Sequence, residues 1–159
     1  MGHDCDHERS HEHGLQGAKL KTSLATIERR LSAADQRLTT PRRRVLELML
    51  EAGQPVKAYD LMAAFGQGEE GPAKPPTVYR ALEFLEKQGL IHRIQSLNSY
   101  VICRIEDGHN AAFLICDCCG ATEEVEPGAA EQLTGPAADA KFQIQNVTIE
   151  AHGLCAECR

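Results

Sequence analysis

Two pairs of cysteines, each with two residues between its members, are the strongest chemical pattern in this sequence. Cys116 is followed by Cys119, and Cys155 is followed by Cys158. Each short spacing lets one turn of backbone present two sulfurs to the same ion, and four thiolates form a closed tetrahedral Zn²⁺ site. The pattern therefore predicts a structural zinc with these four ligands. A disulfide pair and a redox-active pair of thiols are the alternatives.

The setting of these cysteines favours metal binding. The 35 residues between the two pairs exceed the usual zinc-ribbon gap, so a folded segment is expected there. The chain has 159 residues and seven cysteines, and its sequence shows neither a signal peptide nor a run of transmembrane length. Because thiols stay reduced in the cytosol, we expect a cytoplasmic protein that uses its cysteines for metal and has no membrane partner.

Charge is distributed unevenly along the chain, although the net charge is only −6. Residues 19–104 carry 14 basic and nine acidic side chains, whereas residues 105–159 carry two basic and ten acidic ones. A basic half beside an acidic half indicates that only the first half contacts a polyanion.

The first half has the pattern of helices followed by a hairpin. The predicted elements are helices over about 24–38, 40–53, 58–65 and 76–88, then strands at 90–95 and 99–104. Thr40 and Pro41 are the start signals of the second helix, and Leu97-Asn98 is the predicted hairpin turn. This order indicates a winged helix-turn-helix, with the fourth helix as the recognition helix and the hairpin as the wing.

The second half has the pattern of a small α/β unit, which makes the whole chain α+β. Strands are predicted at 111–116, 122–125 and 142–150, and a helical stretch interrupted by Pro136 at 129–141. The predicted organisation is a disordered His-containing tail (1–18), a winged-helix DNA-binding domain (19–104), a hinge (105–108) and a dimerisation and zinc-binding domain (109–159). A second copy would cover an exposed strand edge.

A second group of metal-binding side chains is expected around the wing. A two-residue turn would place His92 directly opposite Cys103, with Cβ atoms about 4.5–5.5 Å apart, whereas a one-residue slip would separate them. His109 and Glu124 complete a mixed site with one sulfur, two nitrogens and one oxygen. Spacing alone does not separate Glu124 from Glu123. With fewer thiolates, this site should hold zinc less tightly and respond to its supply.

Four segments resemble the ferric uptake regulator superfamily and, within it, the zinc uptake regulator branch. They are KPPTVYRAL (74–82), NSYVIC (98–103), FLICDCCG (113–120) and IEAHGLC (149–155), and the resemblance spans about residues 22–159. It implies a homodimeric transcriptional repressor with two Zn²⁺ per chain, no enzymatic activity and no small-molecule substrate. The loaded dimer would bind an AT-rich inverted-repeat operator and repress zinc-uptake genes.

The resemblance also implies roles for individual residues. Cys116, Cys119, Cys155 and Cys158 correspond to the family's structural site, and His92, Cys103, His109 and Glu124 to its regulatory site. Tyr59 and Arg80 correspond to DNA contacts. Arg80 and its neighbours Thr77 and Tyr79 lie on the recognition helix, where an arginine pairs well with guanine, and Arg42 is a candidate phosphate contact.

The sequence also allows functions other than zinc-responsive repression. A single histidine at 107–112 and the soft ligand Cys103 argue against an iron sensor. The histidines of the tail suggest a zinc buffer or chaperone, and a cysteine redox enzyme would need an activated nucleophile, which the sequence does not show. The roles of the tail and of Cys118 are not predicted.

Overall fold

The computed structural model describes residues 14–66, 74–104, 111–126, 128–144 and 147–159. They fall into two compact units, which we call the N-terminal unit (up to residue 102) and the C-terminal unit (from Cys103 onward). The predicted hinge and His109 lie outside the described residues, as does most of the predicted tail. Among the described residues, no helix is both long enough and apolar enough to span a membrane.

The N-terminal unit is a four-helix arrangement followed by a hairpin. Its elements are α1 (Gly17–Ala33), α2 (Thr40–Ala52), α3 (Ala58–Phe65), α4 (Pro75–Lys87), β1 (Ile91–Ile94) and β2 (Ser99–Ile102). Helix α1 begins and ends earlier than the helix predicted over about 24–38, and its first two residues fall within the predicted tail. Leu15, before α1, packs against the core, and its N–H donates to the Leu50 carbonyl over 2.8 Å.

The helices of this unit pack through one continuous apolar core. Val45, Leu46, Val78, Leu82 and Leu85 are at most 1% exposed. Proline opens both α2 and α4, where its missing N–H has no intrahelical partner to lose. α2 ends at Gly53, whose φ of 63° is the left-handed conformation that stops a helix without a Cβ clash. Pro75 thus marks the start of α4, the predicted recognition helix.

The hairpin differs from its predicted register. Ile94 pairs with Ser99 and His92 pairs with Val101, so the connection is the four-residue turn 95–98 and not a two-residue loop. The prediction that His92 lies directly opposite Cys103 is therefore wrong. The turn closes through Asn98 N–H donating to Gln95 C=O over 3.1 Å, with Asn98 in a left-handed conformation. Because the observed register differs from the predicted one by two residues, each side chain still lies on the predicted face of the hairpin.

The C-terminal unit is built on a three-stranded sheet in the order β4-β3-β5. Its elements are β3 (Ala111–Cys116), β4 (Thr122–Val125), a 3-10 helix (Gly128–Leu133), α5 (Thr134–Asp139) and β5 (Thr148–Gly153). β3 pairs antiparallel with β4 and parallel with β5, and the segment between β4 and β5 makes the crossover. Phe113 on the central strand is 1% exposed.

The Ala-rich stretch is helical as predicted and forms a 3-10 helix followed by the short α5. Pro136 does not interrupt it, because it lies in the first turn of α5, where proline is tolerated. The start of the last strand needs correction. The last strand begins at Thr148, six residues later than predicted. It is limited to the six residues that pair with β3, and Phe142, which lies before it, is 68% exposed.

Candidate metal centre and nucleic-acid interface

The four cysteines of the predicted structural site lie together in the C-terminal unit. Cys116 ends β3, Cys119 follows in the turn to β4, and Cys155 and Cys158 lie in the turn after β5. Their sulfurs are all within 4.8 Å of one another, and the sulfurs of Cys119 and Cys155 are 3.8 Å apart. A tetrahedron with Zn–S bonds of about 2.3 Å has edges of about 3.8 Å. The cluster therefore has the dimensions of a four-thiolate zinc site.

Backbone pairing between β3 and β5 brings the two cysteine turns together across more than thirty residues of sequence. Cys116 is in register with Gly153, and Asp117 N–H donates to the Gly153 carbonyl over 2.8 Å. The His152 ring nitrogen Nδ1 lies 2.9 Å from Asp117 Oδ1, which joins the strand end to the first turn a second time. This contact is not among the predicted ones; the sequence offers one signal for it, because His152 precedes Cys155 by three residues.

The thiols of this cluster differ in their acidity. Backbone N–H groups of Cys119 and Cys155 lower the pKa of Cys116 to about 6, and the Cys155 N–H lies 3.4 Å from its sulfur. Burial and the neighbouring thiols raise the pKa of Cys158 to about 12. One sulfur is thus a thiolate at neutral pH, whereas another resists ionisation. A bound cation supplies the positive charge that lets all four act as thiolates.

Two of the four predicted regulatory ligands are in contact within the C-terminal unit. Cys103 Sγ lies 3.8 Å from Glu124 Oε1, and the Arg104 N–H donates to Glu124 Oε2 over 2.8 Å. Glu124 is half-buried opposite Phe113 on β3, whereas Glu123 is exposed opposite Leu114. The structure therefore favours Glu124 over Glu123 as the partner of Cys103. His92 is half-buried on β1 of the N-terminal unit.

The outer surface of α4 carries the predicted base-reading residues. Val78 and Leu82 face the core, while Tyr79 is 50% exposed and Arg80 is exposed beside it. Within the described residues, no hydrogen bond or ion pair engages the Arg80 guanidinium. Thr77 is half-buried one turn before Arg80.

The predicted contacts on the other helices differ in their surroundings. Tyr59, at the start of α3, is 77% exposed, although tyrosine is ordinarily half-buried or more. Arg42, at the start of α2, instead lies over the ring of Phe84 on α4. Phe84 is not among the predicted site residues; it follows Arg80 by four residues and so lies on the same side of the helix.

Residues 33–152 match the Ferric uptake regulator family. The chain belongs to this family. It is 44% identical to the zinc uptake regulation protein of Escherichia coli (strain K12) over 138 residues, which are 85% of this chain and 80% of that protein.

Two solved structures of zinc uptake regulators resemble the present fold. One, a zinc uptake regulator complexed with zinc and DNA, superposes with a TM-score of 0.81 at 41% identity and covers 89% of this chain and 96% of its own. The other, holo XcZur, has a TM-score of 0.77 at 40% identity and covers 86% of this chain and 96% of its own. The α+β fold class and the family resemblance are thereby confirmed.

Proposed function

We propose that this protein is a zinc-responsive transcriptional repressor that binds its operator as a zinc-loaded homodimer and represses zinc-uptake genes. The observation that carries the proposal is its similarity, over most of the chain, to zinc uptake regulators of known sequence and structure. It acts in the cytoplasm, where thiols stay reduced and DNA is accessible. It acts by binding and not by catalysis.

Two zinc ions per chain have different tasks in this proposal. The cluster Cys116, Cys119, Cys155 and Cys158 holds a permanent zinc that completes the C-terminal unit, which has a small core of its own. His92, Cys103, His109 and Glu124 hold the second zinc, which is the sensor. The Cys103–Glu124 contact supports half of this ligand set. Binding of the sensing zinc favours the DNA-binding arrangement by its differential affinity for that arrangement.

Recognition of the operator uses α4. Arg80 contacts a base edge in the major groove, with guanine as the preferred partner, because a guanidinium matches guanine O6 and N7 in bidentate fashion. Thr77 and Tyr79 contact the DNA beside it, and Tyr59 contacts a sugar or a thymine methyl from α3. Arg42 contacts phosphate. The inverted repeat of the operator matches the two-fold symmetry of the dimer.

The test is DNA binding under controlled metal supply. The full-length reduced protein, stripped of its exchangeable metal, is incubated with a randomised duplex pool in the presence of Zn²⁺ or Fe²⁺, and the bound sequences are selected. An inverted repeat enriched only with Zn²⁺ is expected. Enrichment only with Fe²⁺ would instead assign the protein to iron sensing, and zinc uptake without any enrichment would assign it to zinc buffering.

A further inference from the structure

The guanidinium of Arg42 is held from two sides. Its Cζ atom lies 3.5 Å from the centroid of the Phe84 ring, and Nη1 donates to the Arg37 carbonyl over 2.8 Å. Arg42 belongs to the first turn of α2 and Phe84 belongs to α4, so the stack joins the two helices. The guanidinium is therefore held along its edge by one hydrogen bond and on its face by an aromatic ring.

The two arginines that follow Arg42 are engaged differently. Arg43 is ion-paired with Glu28 over 2.8 Å, and Arg44 is ion-paired with Glu47 over 2.9 Å. Among the described residues, no carboxylate pairs with Arg42. Within the part of the chain that the structure describes, Arg42 therefore differs from its two neighbours in having an aromatic ring and a carbonyl as its partners in place of a carboxylate.

Phe84 places this charge beside the proposed DNA-reading surface. Residues three and four apart are neighbours on a helix, so Thr77, Arg80 and Phe84 follow one another along one stripe of α4. Arg42 covers the last of these positions, one turn beyond Arg80. A residue that reads a base in the major groove has backbone phosphates within a short distance, because the groove is about 12 Å wide.

The chemistry of the guanidinium leaves it able to bind such a phosphate. It carries five N–H donors in a planar fork, and stacking on an aromatic ring uses its face and none of those donors. One donor goes to Arg37, and the others remain for phosphate oxygens. Since the ring already restricts the rotamers of Arg42, less conformational entropy remains to be lost when DNA binds.

We propose that Phe84 is a positioning residue that holds Arg42 in place as a preformed contact for a DNA phosphate. This inference rests on the proposed function and adds a residue that does not itself touch DNA. Phe84 is half-buried and also packs against the edge of the core, so the test has to separate positioning from packing.

The experiment is a double-mutant cycle with the full-length, zinc-loaded protein. Arg42→Ala, Phe84→Leu and the double variant are compared with the unaltered chain on two duplexes of equal length, one selected by the unaltered protein and one of random sequence. Binding is measured across a series of salt concentrations. Phe84→Leu keeps an apolar side chain of similar size and removes the aromatic face.

The expected results separate positioning from packing. Phe84→Leu should weaken binding to both duplexes about two- to fivefold per protomer and leave the ratio of the two affinities unchanged. The salt dependence of binding should also stay the same, because the charge of Arg42 remains. Arg42→Ala lowers the salt slope by about one per protomer. In the Arg42→Ala background, Phe84→Leu has no further effect. Arg42→Lys, which keeps the charge but not the planar stack, should match Phe84→Leu.

Three outcomes would overturn the inference. An equal loss from Phe84→Leu with and without Arg42 would mean that Phe84 acts only through the packing of α4. A changed ratio between the two duplexes would mean that it positions Arg80 instead. Arg42→Lys binding as tightly as the unaltered protein would show that stacking is irrelevant, even if Phe84→Leu failed to fold. Failure of the unaltered protein to bind DNA with zinc would overturn the proposed function as well.

Discussion

The sulfur of Cys116 has a chemistry different from that of Cys158, although both belong to one cluster. Backbone N–H donors bring the pKa of Cys116 to about 6, while burial and nearby sulfurs bring that of Cys158 to about 12. At neutral pH, Cys116 is therefore mostly a thiolate. Cys158 has to lose its proton when the metal binds, so zinc uptake and proton release are linked.

This linkage predicts how proton release depends on pH. At pH 7 Cys116 is already mostly ionised and contributes little, whereas at pH 5 it is protonated and must lose its proton to bind zinc. The number of protons released per zinc at this site should rise by about one from pH 7 to pH 5, and zinc affinity should fall over the same range. Calorimetric titration in two buffers of different ionisation enthalpy measures the release. Equal release at both pH values would contradict the lowered pKa of Cys116.

Replacing Cys103 with serine tests the sensing site. The variant should keep the four-cysteine zinc and the dimer but lose zinc-dependent DNA binding, because serine is a far weaker zinc ligand than a thiolate. Zinc content by atomic absorption should fall from two per chain to about one. Glu123→Gln is the control, since Glu123 is exposed opposite Leu114 and lies next to the proposed ligand Glu124. Unfolding of Cys103→Ser would instead assign this cysteine a structural role.

Replacing Arg80 with alanine tests base reading. Loss of a bidentate guanine contact should cost about 1–3 kcal/mol on the selected operator and relax the preference at one position of each half-site. Arg30→Ala is the control, because Arg30 is also an exposed arginine but lies on α1. It should change the affinity far less and leave the base preference intact. Competition between operator duplexes altered at single positions measures both effects. An unchanged preference in Arg80→Ala would reduce its role to phosphate contact.

Local sequence signals were sufficient for most elements but not for the pairing of the wing. The predicted bounds of α3, β3 and β4 agree with the observed ones, because clear turn signals flank these elements. The prolines predicted the start of α4 to within one residue. The hairpin register was wrong because turns of two and four residues leave the same alternation of side chains. The observed turn depends on the left-handed conformation of Asn98, which a period of two does not reveal.

Asn98 therefore offers a test at the scale of the hairpin. Its φ is 47°, and its side-chain oxygen accepts a hydrogen bond from Arg93 over 3.1 Å. Asn98→Val should destabilise the protein by about 1–2 kcal/mol, because a β-branched residue is strained in this conformation. Asn98→Gly tolerates the conformation and loses only the hydrogen bond, so it should cost less. Urea unfolding compares the two; equal costs would mean that backbone strain does not decide the turn.

The sequence was sufficient to predict the ligands of the candidate metal centre, but not how the fold brings the two cysteine pairs together. Cysteine spacing was enough to choose four ligands, since each pair needs only a local turn. Their convergence depends on β3 and β5 pairing in parallel, and the parallel partner of a strand is a tertiary feature that no local pattern encodes. The predicted strand from 142 to 150 began too early for this reason. The Asp117–His152 contact was missed because it joins two distant segments.

At the scale of the whole molecule, the two zinc sites should differ in what their emptying does. Mild chelation should remove the sensing zinc alone, since it has one thiolate among its ligands, and DNA binding should be lost while the dimer remains folded. A stronger chelator should then remove the four-thiolate zinc. Because the C-terminal unit has a small core, this second step should unfold it and separate the dimer.

Sequential chelation with zinc counted at each step measures this order. Circular dichroism, sedimentation and DNA binding are followed together, and Zn²⁺ is then restored. Two zincs per chain falling to one, with DNA binding lost and then recovered, is the expected first stage. One zinc throughout with unchanged DNA binding would remove the sensing site while leaving the structural one. Loss of both zincs in a single step would contradict the division into permanent and exchangeable sites, because the four-thiolate cluster must then be no tighter than the mixed one.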